Sequence, residues 1–142
     1  LYINPEELTV HNNNLQAIYR EIEKNEEMYE TYLTEDADIV ITAFGTVARI
    51  AKSAINDLRE QGIKVGLFRP ITVWPFPYAQ LADAVKGAKA ILDVEVNEGQ
   101  MMEDVRLAVN GALPVDYFGY CGSQMPTTEE IKAKILNMKE GI

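Results

Sequence analysis

One cysteine and one histidine are all that 142 residues contain of the two strongest soft-metal ligands. Cys121 cannot form an internal disulfide, and it falls three thiolates short of the roughly four an iron–sulfur cluster takes. His11 and Cys121 stand far apart and give no zinc-ligand spacing. Cysteine this sparse is compatible with a reducing compartment, and the chain is read as cytoplasmic. Apolar runs are short: none approaches the length of about 18 residues that a membrane helix requires. No signal peptide is visible. Basic residues are scarce as well, 13 Lys and Arg against 22 Asp and Glu, for a net charge of −9. Without a basic stripe to neutralise phosphates, nucleic acid is excluded as a partner. The deficit is uneven. Residues 1–36 carry a net −7 and residues 37–142 a net −2. The chain therefore divides into an acidic helical arm over 1–36, ending in a candidate edge strand, and a nearly neutral body over 37–142. Opening at Leu1 without a methionine, it reads as a piece of a longer subunit.

What is present is ordinary for a globular domain: 47% apolar and 25% charged residues. Leu15, Ile18, Tyr19 and Ile22 form one apolar stripe and predict a helix from His11 to about Tyr29, with Asn12–Asn14 as N-cap candidates. Ala37–Phe44 is a short, continuous β-branched run, the pattern of a strand buried on both faces. A strongly amphipathic helix follows on Val47, Ile50, Ala51, Ala54, Ile55 and Leu58, with Thr46 as its expected cap and Gly62 as its stop. Ile63–Phe68 predicts a second core strand ended by Arg69-Pro70. A short helix over Tyr78–Lys86, a third strand over Ala88–Val96 and a helix over Gln100–Gly111 come next. A short strand over Pro114–Phe118 and a terminal helix opened by the capping-box spacing of Thr127 and Glu130 complete the chain. Alternation of this kind builds a parallel sheet covered by helices on both faces, a three-layer α/β/α domain.

Ligands in open α/β sheets bind outside the carboxyl ends of the strands, which singles out four segments. At Phe44-Gly45-Thr46 a strand turns into a helix whose N–H groups could hold an anion, with Arg69 as a further contributor; a tight turn is the alternative. The GxxxxGK[ST] phosphate loop is absent. Arg69–Pro77 presents Trp74 and Phe76 on a proline-stiffened loop. These aromatics suit a protein interface or else cover the sheet edge. Glu95-Val96-Asn97-Glu98-Gly99-Gln100-Met101 gathers two carboxylates and two amides before a helix. They could perform acid–base chemistry, cap that helix, pair with Arg69 or form an interface. Gly119–Gln124 carries Cys121, either inert or a reactive thiol. No metal site and no catalytic residue is assigned.

Three motifs are more specific. Ala37-Asp38-Ile39-Val40-Ile41-Thr42-Ala43-Phe44-Gly45-Thr46 is the first. Gly62-Ile63-Lys64-Val65-Gly66-Leu67-Phe68-Arg69-Pro70-Ile71-Thr72-Val73-Trp74-Pro75-Phe76-Pro77 is the second, and Val94-Glu95-Val96-Asn97-Glu98-Gly99-Gln100-Met101-Met102-Glu103-Asp104-Val105-Arg106 the third. Together they resemble the C-terminal domain of the alpha subunit of the 2-oxoacid:ferredoxin oxidoreductases, over about Leu1 to Pro114. The wording from Arg69 to Pro77 is most similar to the 2-oxoisovalerate branch, with the 2-oxoglutarate branch as the alternative. The resemblance implies a transketolase C-terminal-domain-like fold, a five-stranded mixed sheet with one antiparallel strand near Tyr29–Leu33. For the whole enzyme it implies thiamine diphosphate, magnesium and iron–sulfur clusters, with coenzyme A and ferredoxin as reactants. It also implies that the thiamine-activating glutamate lies in a preceding domain and the diphosphate-binding GDG motif on another subunit. No GDG occurs here. The fragment alone is then expected to hold no cofactor and to be inactive. Arg69, Trp74, Phe76 and Glu95, Asn97, Glu98, Gly99, Gln100, Met101 become interface candidates toward other subunits or a second copy. A coenzyme A or anion-binding module using Gly45, Thr46 and Arg69 is the competing reading.

Overall fold

In a computed structural model, residues 2–142 are described. The elements run α1 (Pro5–Asn25), β1 (Tyr29–Tyr32), β2 (Ile39–Thr42), α2 (Gly45–Glu60), β3 (Val65–Pro70), α3 (Tyr78–Ala84), β4 (Ala90–Glu95), α4 (Gln100–Val109), β5 (Val115–Gly119) and α5 (Thr128–Lys139). Five strands form one sheet in the order β1-β3-β2-β4-β5. β1 is antiparallel to β3, and the remaining pairs are parallel. This is the mixed five-stranded sheet expected, with the antiparallel strand at the edge.

Both faces are dry because alternate residues of the central strands supply two separate cores. Ile39, Ile41, Leu67, Leu92 and Val94 pack under α2 and α5. Val40, Phe68 and Ile91 pack under α3 and α4 with Phe76, Leu81 and Val105. Strands buried on both sides must be apolar throughout. That makes the buried polar residues of these strands, Thr42, Asp93 and Glu95, conspicuous.

Several boundaries move. α1 starts at Pro5, not His11, because Asn4 accepts from Glu6 N at 2.9 Å, proline occupies the first turn and Glu6 and Glu7 follow. Asn12–Asn14 are mid-helix. Thr46 does not cap α2: the helix already includes Gly45, and the cap position is Phe44, whose side chain makes no capping bond. Pro70 does not end β3 early, since its missing N–H is harmless at the last residue of the strand, where it faces Tyr29. The capping box of Thr127 and Glu130 is formed.

α1 buries none of its 21 residues. It meets the body where Tyr19 sits edge-on to Trp74, with ring centroids 5.7 Å apart.

Candidate functional site

β2 has β3 on one side and β4 on the other, so the chain reverses its direction of travel across the sheet at β2. The carboxyl ends of β2 and β4 therefore flank the switch point at which open α/β sheets bind ligands. A cleft of about 170 Å³ lies there, lined by Phe44, Gly45, Thr46, Val47, Val94, Glu95, Val96 and Met125. Gly45 enters α2 with φ +57. α2 has no side-chain cap and no acid in its first turn, so its leading N–H groups are uncapped. Arg69 does not line this cleft. Its Nη1 donates to Glu30 Oε2 on β1 at 3.1 Å, and Lys52 of α2 bonds the other Glu30 oxygen. The two cations hold the Glu30 carboxyl below its usual range, Lys52 foremost. The structure thus separates Arg69 from Gly45 and Thr46, and it also rules out the pairing of Arg69 with Glu95 or Glu98.

Glu95 is fully buried and serves a helix. The N–H groups of Met101 and Met102 donate to its two oxygens at 3.0 and 3.1 Å, and Asn97 Nδ2 donates at 2.9 Å. Asn97 Oδ1 accepts from Gly99 N and Gln100 N at 2.8 and 3.1 Å. Gly99 supplies the left-handed turn, φ +87, that brings these donors round. Every leading N–H of α4 is thereby taken, so this helix start cannot receive an anion. Of the alternatives for Glu95, capping is the one the geometry adopts. Tyr117 reinforces the turn by donating its hydroxyl to Asn97 O.

Beneath this cap lies a residue that sequence reasoning missed. Asp93 is wholly buried and pairs in register with Thr42, whose hydroxyl donates to Asp93 Oδ1 at 2.6 Å. Its Oδ2 has no donor among the described residues. Burial first, then the neighbouring Glu95 carboxyl, push the Asp93 carboxyl up to about 9. An acid inside the apolar stretch Ala88–Val96, two residues before another acid, was the available signal.

The Arg69–Pro77 loop divides its two aromatics. Phe76 is 3% exposed, in the core under α3 and α4, so of the two readings for this loop it covers the sheet and is not an interface candidate. Trp74 is 55% exposed. The loop is held to the entry of β1: Ile71 N and Thr72 N donate to Met28 O at 2.8 and 3.1 Å, and Met28 N donates to Thr72 Oγ1 at 3.0 Å. Cys121 is exposed, and Glu98 beside it raises the thiol, which opposes thiolate formation.

The switch-point cleft is not lined for the cofactors that the resemblance implies for the whole enzyme. Among the described residues no three His, Cys, Asp or Glu side chains converge on a metal position. The switch-point cleft is lined by no Lys or Arg to balance a diphosphate. No helix among the described residues is long and apolar enough to cross a membrane.

The family model for pyruvate:ferredoxin oxidoreductase core domain II matches residues 37–131. The chain is 39% identical over 135 residues to ketoisovalerate oxidoreductase subunit VorB of Methanothermobacter marburgensis, covering 95% of this chain and 38% of that subunit. It is 32% identical over 106 residues to 2-oxoglutarate synthase subunit KorA of the same organism, covering 75% of this chain and 28% of that subunit. Its fold superposes on the 2-oxoglutarate:ferredoxin oxidoreductase of Magnetococcus marinus with a TM-score of 0.82 at 21% identity, over 96% of this chain and 24% of that one. It superposes on a split-gene transketolase with a TM-score of 0.66 at 17% identity, over 78% of this chain and 40% of that one.

Proposed function

Because the chain belongs to the family of pyruvate:ferredoxin oxidoreductase core domain II, we propose that it is the transketolase C-terminal-like domain of the alpha subunit of a 2-oxoacid:ferredoxin oxidoreductase. Its work there is assembly: it packs against the rest of its subunit and against partner subunits, and so shapes an active site whose cofactor ligands lie elsewhere. The whole enzyme would convert a 2-oxoacid to an acyl-coenzyme A with ferredoxin as electron acceptor. Thiamine diphosphate, with magnesium, would supply the carbanion chemistry. The substrate we favour is 2-oxoisovalerate, supported by the higher identity to the ketoisovalerate subunit than to the 2-oxoglutarate subunit.

The observation that carries this reading is α1. It is a helix with an apolar stripe and no buried residue. A stripe of that kind stabilises a helix only when something covers it. Ile18 and Tyr19 are exposed on it, and Val73 and Trp74 of the Arg69–Pro77 loop are exposed on the body. The edge-on contact of Tyr19 with Trp74 makes one surface of the two. The chain spans 38% of the length of the VorB subunit it matches. A subunit of that length has further chain with which to cover this surface.

Titration calorimetry separates this reading from the ligand-binding one. Coenzyme A, and separately thiamine diphosphate with magnesium, are titrated into the chain. Assembly predicts no binding heat from either. Saturable heat from coenzyme A, abolished by Thr46→Asp at the α2 start, would replace the assembly reading with an anion site at Gly45 and Thr46.

A further inference from the structure

Asp93 and Glu95 project from the same face of β4, two residues apart, and both are fully enclosed. Glu95 spends both oxygens as acceptors, for Met101 N, Met102 N and the Asn97 amide. Asp93 spends Oδ1 on the Thr42 hydroxyl and leaves Oδ2 without a donor. A buried carboxylate oxygen in that position would be an orphan acceptor beside a second carboxylate, costly on both counts. A protonated Oδ2 reverses both costs, because it becomes a donor with the Glu95 carboxylate on the same face of β4 to accept it.

We propose that Asp93 and Glu95 share one proton, carried on Asp93 Oδ2, and that this acid–carboxylate pair latches the start of α4 to the end of β4.

The surroundings leave the pair little other compensation. β2 presents the neutral Thr42, and β5 presents Tyr117, opposite Asp93 in register. From α4, Arg106 acts on Asp93 at longer range and is the weakest influence on it; Glu98 in the turn acts on Tyr117. On the α3 side this layer holds Phe76, Leu81 and Val85, and the Tyr78 hydroxyl donates to Asp104 on α4. When the proton leaves, two negative charges face one another in a dry layer. Relief comes by releasing Glu95 from Met101 and Met102, which loosens the Asn97–Gly99 turn. The latch stands whatever partner the domain meets.

The sign follows from linkage. Asp93 is raised to about 9 in the folded chain from an unfolded value of about 3.9. Its contribution is fully present below the unfolded value and is lost as pH rises toward the folded one. Relative to a variant that cannot titrate, the folding constant should fall about tenfold per pH unit inside that window. Asp93→Asn is the matched variant: its Oδ1 still accepts from Thr42, and its Nδ2 still donates to Glu95.

Denaturant unfolding of the chain and of Asp93→Asn from pH 5 to pH 8 tests the proton. The folding constant of the chain should drop by about a thousandfold against the variant across that range. A ratio independent of pH would mean an ionised Asp93 and overturn the proposal. Should the variant not fold, a carbon-13 titration of the Asp93 carboxyl in the unaltered chain decides the matter. A protonated carboxyl at pH 7 supports the shared proton, and an ionised one overturns it. Hydrogen-exchange protection of Met101 and Met102 tests the latch. It should fall through the same titration that deprotonates Asp93, and constant protection would contradict it.

Discussion

Replacing Glu95 by alanine should cost the domain about 4 kcal/mol of folding stability, because each buried donor left unpaired costs about 1–3 kcal/mol. The buried Met101 N and the half-buried Met102 N and Asn97 amide would all lose their acceptor. No other group stands ready to replace it. Gly99, at the cap position of α4, has no side chain, and Asn97 Oδ1 is already occupied by Gly99 N and Gln100 N. The change also removes negative charge from the positive end of α4, an interaction of about 0.3–1 kcal/mol or more when partly buried. Glu95→Gln should lose less, since the amide oxygen can still serve one donor. Chemical denaturation of the three proteins checks the order, unaltered above Gln above Ala. Equal stability of Gln and Ala variants would show that the carboxylate geometry around Met101 and Met102 matters less than its charge.

Gly66→Ala should destabilise by about 3 kcal/mol, at the upper end for overpacking. Gly66 lies inside β3, paired with Val40 of β2 on one side and faced on the other by the Leu33–Thr34 link just after β1. A Cβ there would stand 2.5 Å from Leu33 O and 2.9 Å from Leu33 C and Thr34 Cα. All three are backbone atoms, so no rotamer change relieves the clash. Leu33 is itself in the left-handed region, φ 53, where the chain leaves β1. Arg59 Nη2 pins that carbonyl at 2.7 Å. The segment is therefore fixed from both ends, and the sheet must spread to admit a methyl group. A lowered denaturation midpoint with unchanged slope is the expected result. A midpoint equal to that of the unaltered chain would mean that the Leu33–Thr34 link yields freely.

The central elements were legible because their side-chain periodicity is dictated by two-sided burial. Ala37–Phe44 and Ala88–Val96 read as buried strands, and the Val47-to-Leu58 stripe placed α2 correctly. What the pattern hid was decided at longer range. Arg69 left its strand end looking free, yet Glu30, 39 residues away, takes it, because β1 folds back antiparallel beside β3. Phe76 resembled an exposed anchor of the kind Trp74 is. The loop turns it inward to meet Tyr78, with ring centroids 5.0 Å apart. Asp93 escaped notice because a lone acid in an apolar strand acquires meaning only when Thr42 on the next strand and Glu95 on its own face close around it. The family resemblance was carried by motif wording that local physics does not explain, and the match over residues 37–131 bears it out.

The assembly role is tested most directly in the whole subunit that carries this domain. Its co-purification with candidate partner subunits is measured for the unaltered form and for Ile18→Asp combined with Trp74→Asp. Both positions are exposed in the domain, so folding should survive, and circular dichroism checks that it does. The unaltered subunit should retain its partners, and the charged variant, folded, should lose them. Undiminished co-purification of the folded variant would contradict the assembly role, and would show that the face joining α1 to the Arg69–Pro77 loop is not a surface of assembly.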